Sequence, residues 1–197
     1  DLPVGLDLQD ELGSRSVGLE FAASYDNRDN VINAGKGSLF EFTQGFYGTA
    51  LGGTSSFQLS KLDVRSYSKL GKKGVFALNF YARYGWNNTP PQELSILGGP
   101  TLLRGFQEGR FRDRMALFTQ AEYRLQPWNS FGFVFYGGAG QVSPEVDLNV
   151  SDLYYSVGTG LRVTIIPSEN VNLRLDYAFG FGPTSDSGFY LGIGEAF

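Results

Sequence analysis

The side chains best suited to specific chemistry lie in one stretch, Leu97–Arg114, which reads LGGPTLLRGFQEGRFRDR. The stretch combines glycine pairs with an arginine that precedes glycine and phenylalanine, and it lacks the alternation of a strand. Gly105 would let the backbone turn tightly, so that Arg104 can point into the interior of the fold. A buried guanidinium needs a carboxylate partner, and Glu122 is the nearest candidate. The chemistry indicated is an ion pair that holds a loop in place.

The composition argues against catalysis and against metal or nucleic-acid binding. The sequence has no histidine and no cysteine, which removes the commonest general base and the usual zinc ligands. No two carboxylates share a loop with a base nearby, so a catalytic site has no support. The net charge of -4 does not suit phosphate contacts. We therefore expect no enzymatic activity, no cofactor, no metal and no nucleic-acid partner.

The elements that must position the loop are long β-strands. No apolar run approaches the roughly 20 residues of a membrane-spanning helix. Instead, hydrophobic and polar residues alternate in long segments, as they do in strands with one buried and one polar face. Nine such segments are predicted: Ser16–Arg28, Ser38–Ala50, Ser56–Leu70, Gly74–Asn87, Met115–Gln126, Phe131–Val142, Tyr154–Ile166, Asn170–Gly182 and Phe189–Phe197. A weaker tenth is possible across Val4–Gln9.

The breaks between these segments are alternately short and long. Short turns are predicted at 71–74, 127–130 and 167–170, and longer loops at 88–112, 143–153 and 183–188. Transmembrane β-barrels have short turns on the periplasmic side and long loops outside. The fold class predicted is all-β: one domain over residues 1–197, a transmembrane antiparallel up-and-down barrel of about ten strands, with 1–13 as a linker or weak first strand. Eight strands, or a fragment of a larger barrel, are the alternatives.

The character of the two faces favours lipid over water outside the barrel. The polar faces carry acids and bases of both signs, as a lumen with internal ion pairs would, whereas the apolar faces are aromatic-rich throughout. Arg83, Arg162, Arg174 and Asp176 are expected to form lumen-filling ion pairs. A soluble binding barrel remains the alternative, because alternation alone does not say which face meets solvent.

Three consecutive segments, LGGPTLLRGF, ALFTQAEYRL and FVFYGGAGQV, resemble the carboxyl-terminal barrel of the BamA/TamA superfamily, also called bacterial surface antigens. The resemblance implies that Arg104, Gly105 and Phe106 form a loop motif that folds into the lumen. It further implies that Glu122 is the first of two acids that hold the arginine. The second is usually an aspartate in an Asp-x-Gly setting, where this chain has 138–140 as Gly-Ala-Gly, so the second acid is expected to be absent.

Two other segments support the resemblance. YDNRDN, at 25–30, is similar to a periplasmic turn of that superfamily, and VNLRLDYAFG, at 171–180, to its penultimate strand. The last segment, GFYLGIGEAF, resembles the signal by which outer-membrane barrels are recognised for insertion. Gly192 and Phe197 fit that signal, whereas Glu195 stands where an apolar residue is usual. Gly192 and Gly194 would weaken pairing at a seam that opens laterally in the superfamily, although a plain closing strand explains the segment equally well.

The resemblance implies a role in membrane-protein assembly and insertion or in protein secretion, in the outer membrane of a Gram-negative bacterium. The partners implied are outer-membrane lipid and unfolded outer-membrane or secreted client proteins. A passive barrel that anchors a passenger domain or forms a small pore is the alternative, beside the soluble binding barrel. Because the sequence opens on Asp1, either a removed signal peptide or a larger parent protein is expected.

Overall fold

The computed structural model describes residues 14–197, so the weak strand predicted across Val4–Gln9 lies outside the described residues. The described residues form eleven strands: β1 (Gly18–Asp26), β2 (Gly37–Tyr47), β3 (Phe57–Leu70), β4 (Gly74–Asn87), β5 (Ser95–Leu97), β6 (Phe111–Asp113), β7 (Met115–Leu125), β8 (Phe131–Ser143), β9 (Tyr154–Ile166), β10 (Val171–Phe181) and β11 (Asp186–Ile193). The helical segments among these residues are single 3-10 turns, and none could span a membrane.

Nine of the strands form one antiparallel up-and-down sheet, in the order β1-β2-β3-β4-β7-β8-β9-β10-β11. Each strand therefore pairs with its neighbours along the chain, and the two short strands β5 and β6 pair with each other in the connection between β4 and β7. The nine predicted long strands and the all-β class are confirmed. Within residues 14–197 the sheet is not closed, because β1 and β11 each pair on one side only.

The two faces of the sheet differ as the alternation predicts. Large apolar side chains on the outer face are exposed: Phe189, Leu191 and Ile193 of β11 have 65%, 69% and 70% of their surface accessible. The inner face carries buried polar residues, such as Gln120 of β7 and Asp176 of β10. Because apolar residues on one face alternate with charged residues on the other, the period of two is a property of the whole sheet.

The connections also fall into two groups, one at each end of the sheet. One end carries the connection 27–36 and the tight turns 71–73, 126–130 and 167–170; we call it the short-turn end. In the 27–36 connection, the Asp29 carboxylate accepts the backbone N–H groups of Gly35 (2.8 Å) and Lys36 (3.1 Å). Desolvation raises the pKa of Asp29, but these hydrogen bonds and the nearby cations of Lys69 and Lys36 together leave the pKa below its ordinary value.

The last strand differs from its prediction. It was expected over Phe189–Phe197, whereas β11 runs from Asp186 to Ile193, so the preceding loop is shorter and the final residues lie outside the sheet. The strand ends because Gly194 adopts a positive φ of 82°, a conformation that glycine reaches without steric cost. Residues 194–197, which we call the terminal segment, turn from there onto the inner face of the sheet.

Candidate functional site

The connection between β4 and β7 contains the short hairpin of β5 and β6, and the loop between these two strands folds onto the inner face. The paired residues Leu97 and Phe111 form the top of that hairpin, and the inserted loop, residues 98–110, continues from it. Two internal hydrogen bonds shape the loop, from the N–H of Gly98 to the carbonyl of Leu102 (2.8 Å) and from the N–H of Gly99 to that of Phe106 (3.1 Å). The loop is therefore a folded element of defined shape.

Arg104 lies at the deepest point of the inserted loop, with its side chain fully buried. Its Nη2 forms an ion pair with Glu122 of β7, the acid predicted for it. Its Nη1 lies 2.7 Å from Oδ2 of Asp176 on β10. The guanidinium carbon also stacks 3.4 Å from the ring centroid of Tyr136 on β8, close enough for a cation–π interaction. One side chain thus contacts three strands.

The expectation that the second acid is absent is wrong. The glycines at 138 and 140 on β8 supply no carboxylate, but Asp176, two strands further on, occupies that role. Asp176 is fully buried and also pairs with Arg162, whose Nη1 lies 2.6 Å from its Oδ1. Glu122 likewise pairs with Arg124, at 2.8 Å. Each acid therefore lies between two guanidinium groups, which offsets the cost of burying the charges.

The backbone of the loop is held as closely as its arginine. The N–H of Gly105 donates to the hydroxyl oxygen of Tyr190 on β11 (2.9 Å), and that hydroxyl donates to the carbonyl of Phe106 (2.8 Å). Ser156 of β9 donates its hydroxyl to the carbonyl of Arg104. Gly105 has a φ of 110°, and a Cβ there would lie 2.7 Å from the backbone nitrogen of Gly180. Only glycine fits this approach of loop to strand.

Phe106 fixes the loop by apolar packing. Its ring is fully buried and lies 5.0 Å from that of Phe111 and 5.7 Å from that of Tyr154, both edge to face. Beneath it is Gly180 of β10, where any Cβ would overlap the phenyl ring. The buried cluster around it comprises Leu97, Leu103, Phe106, Phe111 and Phe118. The Arg-Gly-Phe motif therefore combines an ion pair, a tight backbone contact and an apolar contact.

The terminal segment lies on the same inner face, nearer the short-turn end. Phe197 is 8% exposed and packs against Tyr67 of β3, with ring centroids 6.3 Å apart. Its main-chain oxygen accepts a hydrogen bond from Nη2 of Arg124 (2.9 Å). Gly192 remains in β11, where it lies under the guanidinium of Arg174. Of the residues predicted for a closing strand, Gly192 is therefore in the strand, whereas Gly194 and Phe197 are not.

Comparison with known proteins assigns the family. The Omp85 superfamily domain matches residues 9–197. The chain belongs to the Omp85 superfamily. This confirms, at the level of the superfamily, the resemblance carried by the loop motif. No curated protein matches the chain. Among solved structures, CdiB from Acinetobacter baumannii superimposes with a TM-score of 0.67 at 17% identity, over 91% of this chain and 33% of that one. The Omp85 chain thus spans about a third of the length of that structure.

Two residues of the Omp85 loop site could not be assigned to it from the sequence. Asp176 and Tyr190 face inward by their position in the alternation, which is the only signal the sequence offers. Neither residue is near Arg104 along the chain, and the period of two does not say how far the loop reaches around the sheet. Their contacts depend on the curvature of the whole sheet, which brings β7, β10 and β11 around the same loop.

Proposed function

We propose that this chain is part of an outer-membrane β-barrel that assembles or secretes proteins, and that it acts at the edge of its last strand. Membership of the Omp85 superfamily and the exposed apolar outer face support the location. The proposal places the protein in a bacterial outer membrane, in contact with lipid and with unfolded client proteins. It includes no catalysis, no cofactor and no nucleic-acid partner.

The observation that carries the proposal is that β11 ends the described sheet, so the edge facing away from β10, which we call the free edge, has no strand partner among residues 14–197. The strand pairs with β10 from Asp186 to Ile193, and no strand among residues 14–197 pairs with its other edge. Its outer side chains are among the most exposed apolar groups of the sheet. In hydrocarbon, each unpaired backbone N–H or C=O group costs several kcal/mol, so this edge requires a strand partner. A client strand can supply that partner, and so can another strand of a complete barrel.

The crowded interior argues against passage through the barrel. The inserted loop and the terminal segment both lie on the inner face. A cavity of about 300 Å³ lies between them and β3 and β4, lined by Asp63, Tyr81, Leu102 and Phe197 among others. The loop and the terminal segment contact β7, β9, β10 and β11, so a polypeptide that crossed along these strands would have to displace them. Action at the outer edge is therefore the better-supported route.

The finer assignment to the BamA/TamA type also belongs to the proposal. It is supported by the Arg-Gly-Phe loop and by the two acids that hold Arg104. The crowded interior suits a passive barrel that anchors a passenger domain as well, so that role is the second candidate. The exposed outer face of β11 disfavours the soluble binding barrel.

Disulfide trapping at the free edge tests the proposal, because the sequence has no cysteine of its own. In L191C the new thiol lies on the outer face of β11; L161C is the matched control on β9, which has a strand on each side. The full-length protein in lipid vesicles is mixed with a urea-unfolded eight-stranded outer-membrane barrel that carries one cysteine in its last strand. A mild thiol oxidant (copper phenanthroline) is added at set times as the client folds, and the disulfides formed are counted on non-reducing gels.

We expect a disulfide at L191C when the oxidant is added early in client folding, less of it when the oxidant is added after the client has inserted, and little at L161C at either time. Equal trapping at both positions, or none at L191C while the client inserts, would overturn the edge mechanism. The passive anchor predicts no trapping at either position and no faster client folding than in empty vesicles.

A further inference from the structure

The terminal segment is attached to the inner face by one charged residue, Glu195. Its side chain is 2% exposed. One carboxylate oxygen lies 2.7 Å from Nε of Arg162, and the other accepts a hydrogen bond from the amide of Asn172 (3.0 Å). Arg124 approaches the same carboxylate at 3.8 Å. Glu195, which stands where the insertion signal usually has an apolar residue, therefore has hydrogen-bond and ion-pair partners for both of its carboxylate oxygens.

These contacts close a ring of alternating charge. Starting from the loop, each of the following side chains forms an ion pair with the next, and the last pairs with the first: Arg104, Glu122, Arg124, Glu195, Arg162 and Asp176. Three guanidinium groups balance three carboxylates, and no member has more than 7% of its side chain exposed. We call this set the charge ring.

The charge ring joins two parts of the molecule that do not belong to the same strand. Arg104 comes from the inserted loop and Glu195 from the terminal segment, and they lie on opposite sides of the ring. Two arginines connect them: Arg124 is shared between Glu122 and Glu195, and Arg162 between Asp176 and Glu195. Removing the charge of Arg104 or of Glu195 therefore alters the charge balance around the other residue.

We infer that the charge ring couples the inserted loop to the terminal segment, so that withdrawing Arg104 releases the end of the last strand. Without Arg104, Glu122 and Asp176 each lose a buried partner, and they draw Arg124 and Arg162 away from Glu195. Arg174 lies 4.0 Å from Asp176 and compensates that acid in part, but among the described residues it pairs with neither Glu122 nor Glu195. The coupling therefore has two routes: a close one through Arg162, which Arg174 buffers in part, and a longer one through Arg124, which has no such buffer.

The experiment uses A196C as a reporter, because Ala196 is 7% exposed and next to Glu195 in the terminal segment. The full-length protein in lipid vesicles is treated with a bulky maleimide, and the rate of modification is measured by gel shift. R104Q removes the loop cation, E195Q removes the carboxylate of the terminal segment, and E41Q is the matched control, since Glu41 pairs with Lys61 outside the charge ring.

We expect R104Q and E195Q each to speed modification of A196C by about tenfold or more, because a buried ring that loses one partner opens locally more often. E41Q should leave the rate unchanged. If E195Q speeds the reaction and R104Q does not, the two parts are held independently and the inference fails. It fails also if neither changes the rate.

A second reporter covers the case in which R104Q does not fold. L102C lies in the inserted loop beside the cavity that Phe197 also lines. Since coupling is reciprocal, E195Q should raise the labelling rate of L102C, and an unchanged rate would overturn the inference. No client protein enters either assay, so failure here leaves the edge mechanism of β11 standing, and failure of the trapping experiment leaves the charge ring standing.

Discussion

Two regions of the inner face carry the same kind of ion pair in very different surroundings. On β2 and β3, Glu41 pairs with Lys61 at 2.7 Å, and their side chains are 33% and 37% exposed. In the charge ring the pairs of Asp176 with Arg104 (2.7 Å) and Arg162 (2.6 Å) are equally close but almost fully buried. The strands have the same alternation in both regions, so the strands do not cause the difference. The inserted loop and the terminal segment cause it, by covering one region and leaving the other open.

The comparison teaches that burial determines what an ion pair contributes here. An exposed pair contributes about 0–1 kcal/mol, because water competes for both charges. Removing one partner from a buried pair costs about 3–5 kcal/mol, because the remaining charge stays buried without compensation. Removing one carboxylate from the charge ring should therefore lower the free energy of unfolding more than removing Glu41 from its exposed pair.

The largest effect is expected for E122Q, which removes a carboxylate that contacts two arginines. We expect a loss of about 3–5 kcal/mol in the free energy of unfolding. The measurement is urea unfolding in detergent micelles followed by tryptophan fluorescence. E41Q serves as the control and should cost under about 1 kcal/mol. Equal losses in the two variants would show that burial by the loop does not strengthen the charge ring.

A smaller effect is expected when the loop is displaced without changing charge. In G180A the new methyl group would overlap the ring of Phe106, and overpacking of this kind costs about 1–3 kcal/mol. The control is G137A, because a Cβ at Gly137 meets its nearest atom at an ordinary 3.5 Å. Susceptibility of the loop to added protease should rise in G180A only. Protection equal to wild type in G180A would mean that Phe106 does not hold the loop.

The smallest effect is expected for Y190F, which removes one hydroxyl and with it two hydrogen bonds to the loop backbone. A loss of about 1–2 kcal/mol follows from the unsatisfied N–H of Gly105 and carbonyl of Phe106. Y177F is the control, since Tyr177 lies on the outer face of the neighbouring strand. Hydrogen exchange at the Gly105 amide should quicken in Y190F alone, and unchanged exchange would argue against this contact.

The sequence predicts the strands of this chain better than its loop contacts. Alternation locates all nine long strands, because each strand carries its own pattern of apolar and polar residues. It also predicts the pair of Arg104 and Glu122, since the two residues lie on consecutive elements. Asp176 is missed because its approach to Arg104 depends on the curvature of the sheet across β8 and β9. Local patterns contain no information about curvature.

The end of the last strand is missed for a related reason. The alternation of GFYLGIGEAF continues to Phe197, so the pattern favours a strand to the final residue. The positive φ of Gly194 and the partners of Glu195 interrupt it. The charge on Glu195 is the sequence signal that the strand ends before it. In a continued strand this carboxylate would face lipid at a high cost in free energy, whereas beside arginines its charge is compensated.

The hydroxyl of Tyr190 has a consequence for how β11 aligns with β10. A glycine-containing strand at a sheet edge has weakly specified register, and a slip of two residues would keep its apolar side outward. Such a slip moves the hydroxyl by about 7 Å, beyond reach of Gly105 and Phe106. The inserted loop can therefore form both hydrogen bonds with Tyr190 only when β11 pairs with β10 in the observed register.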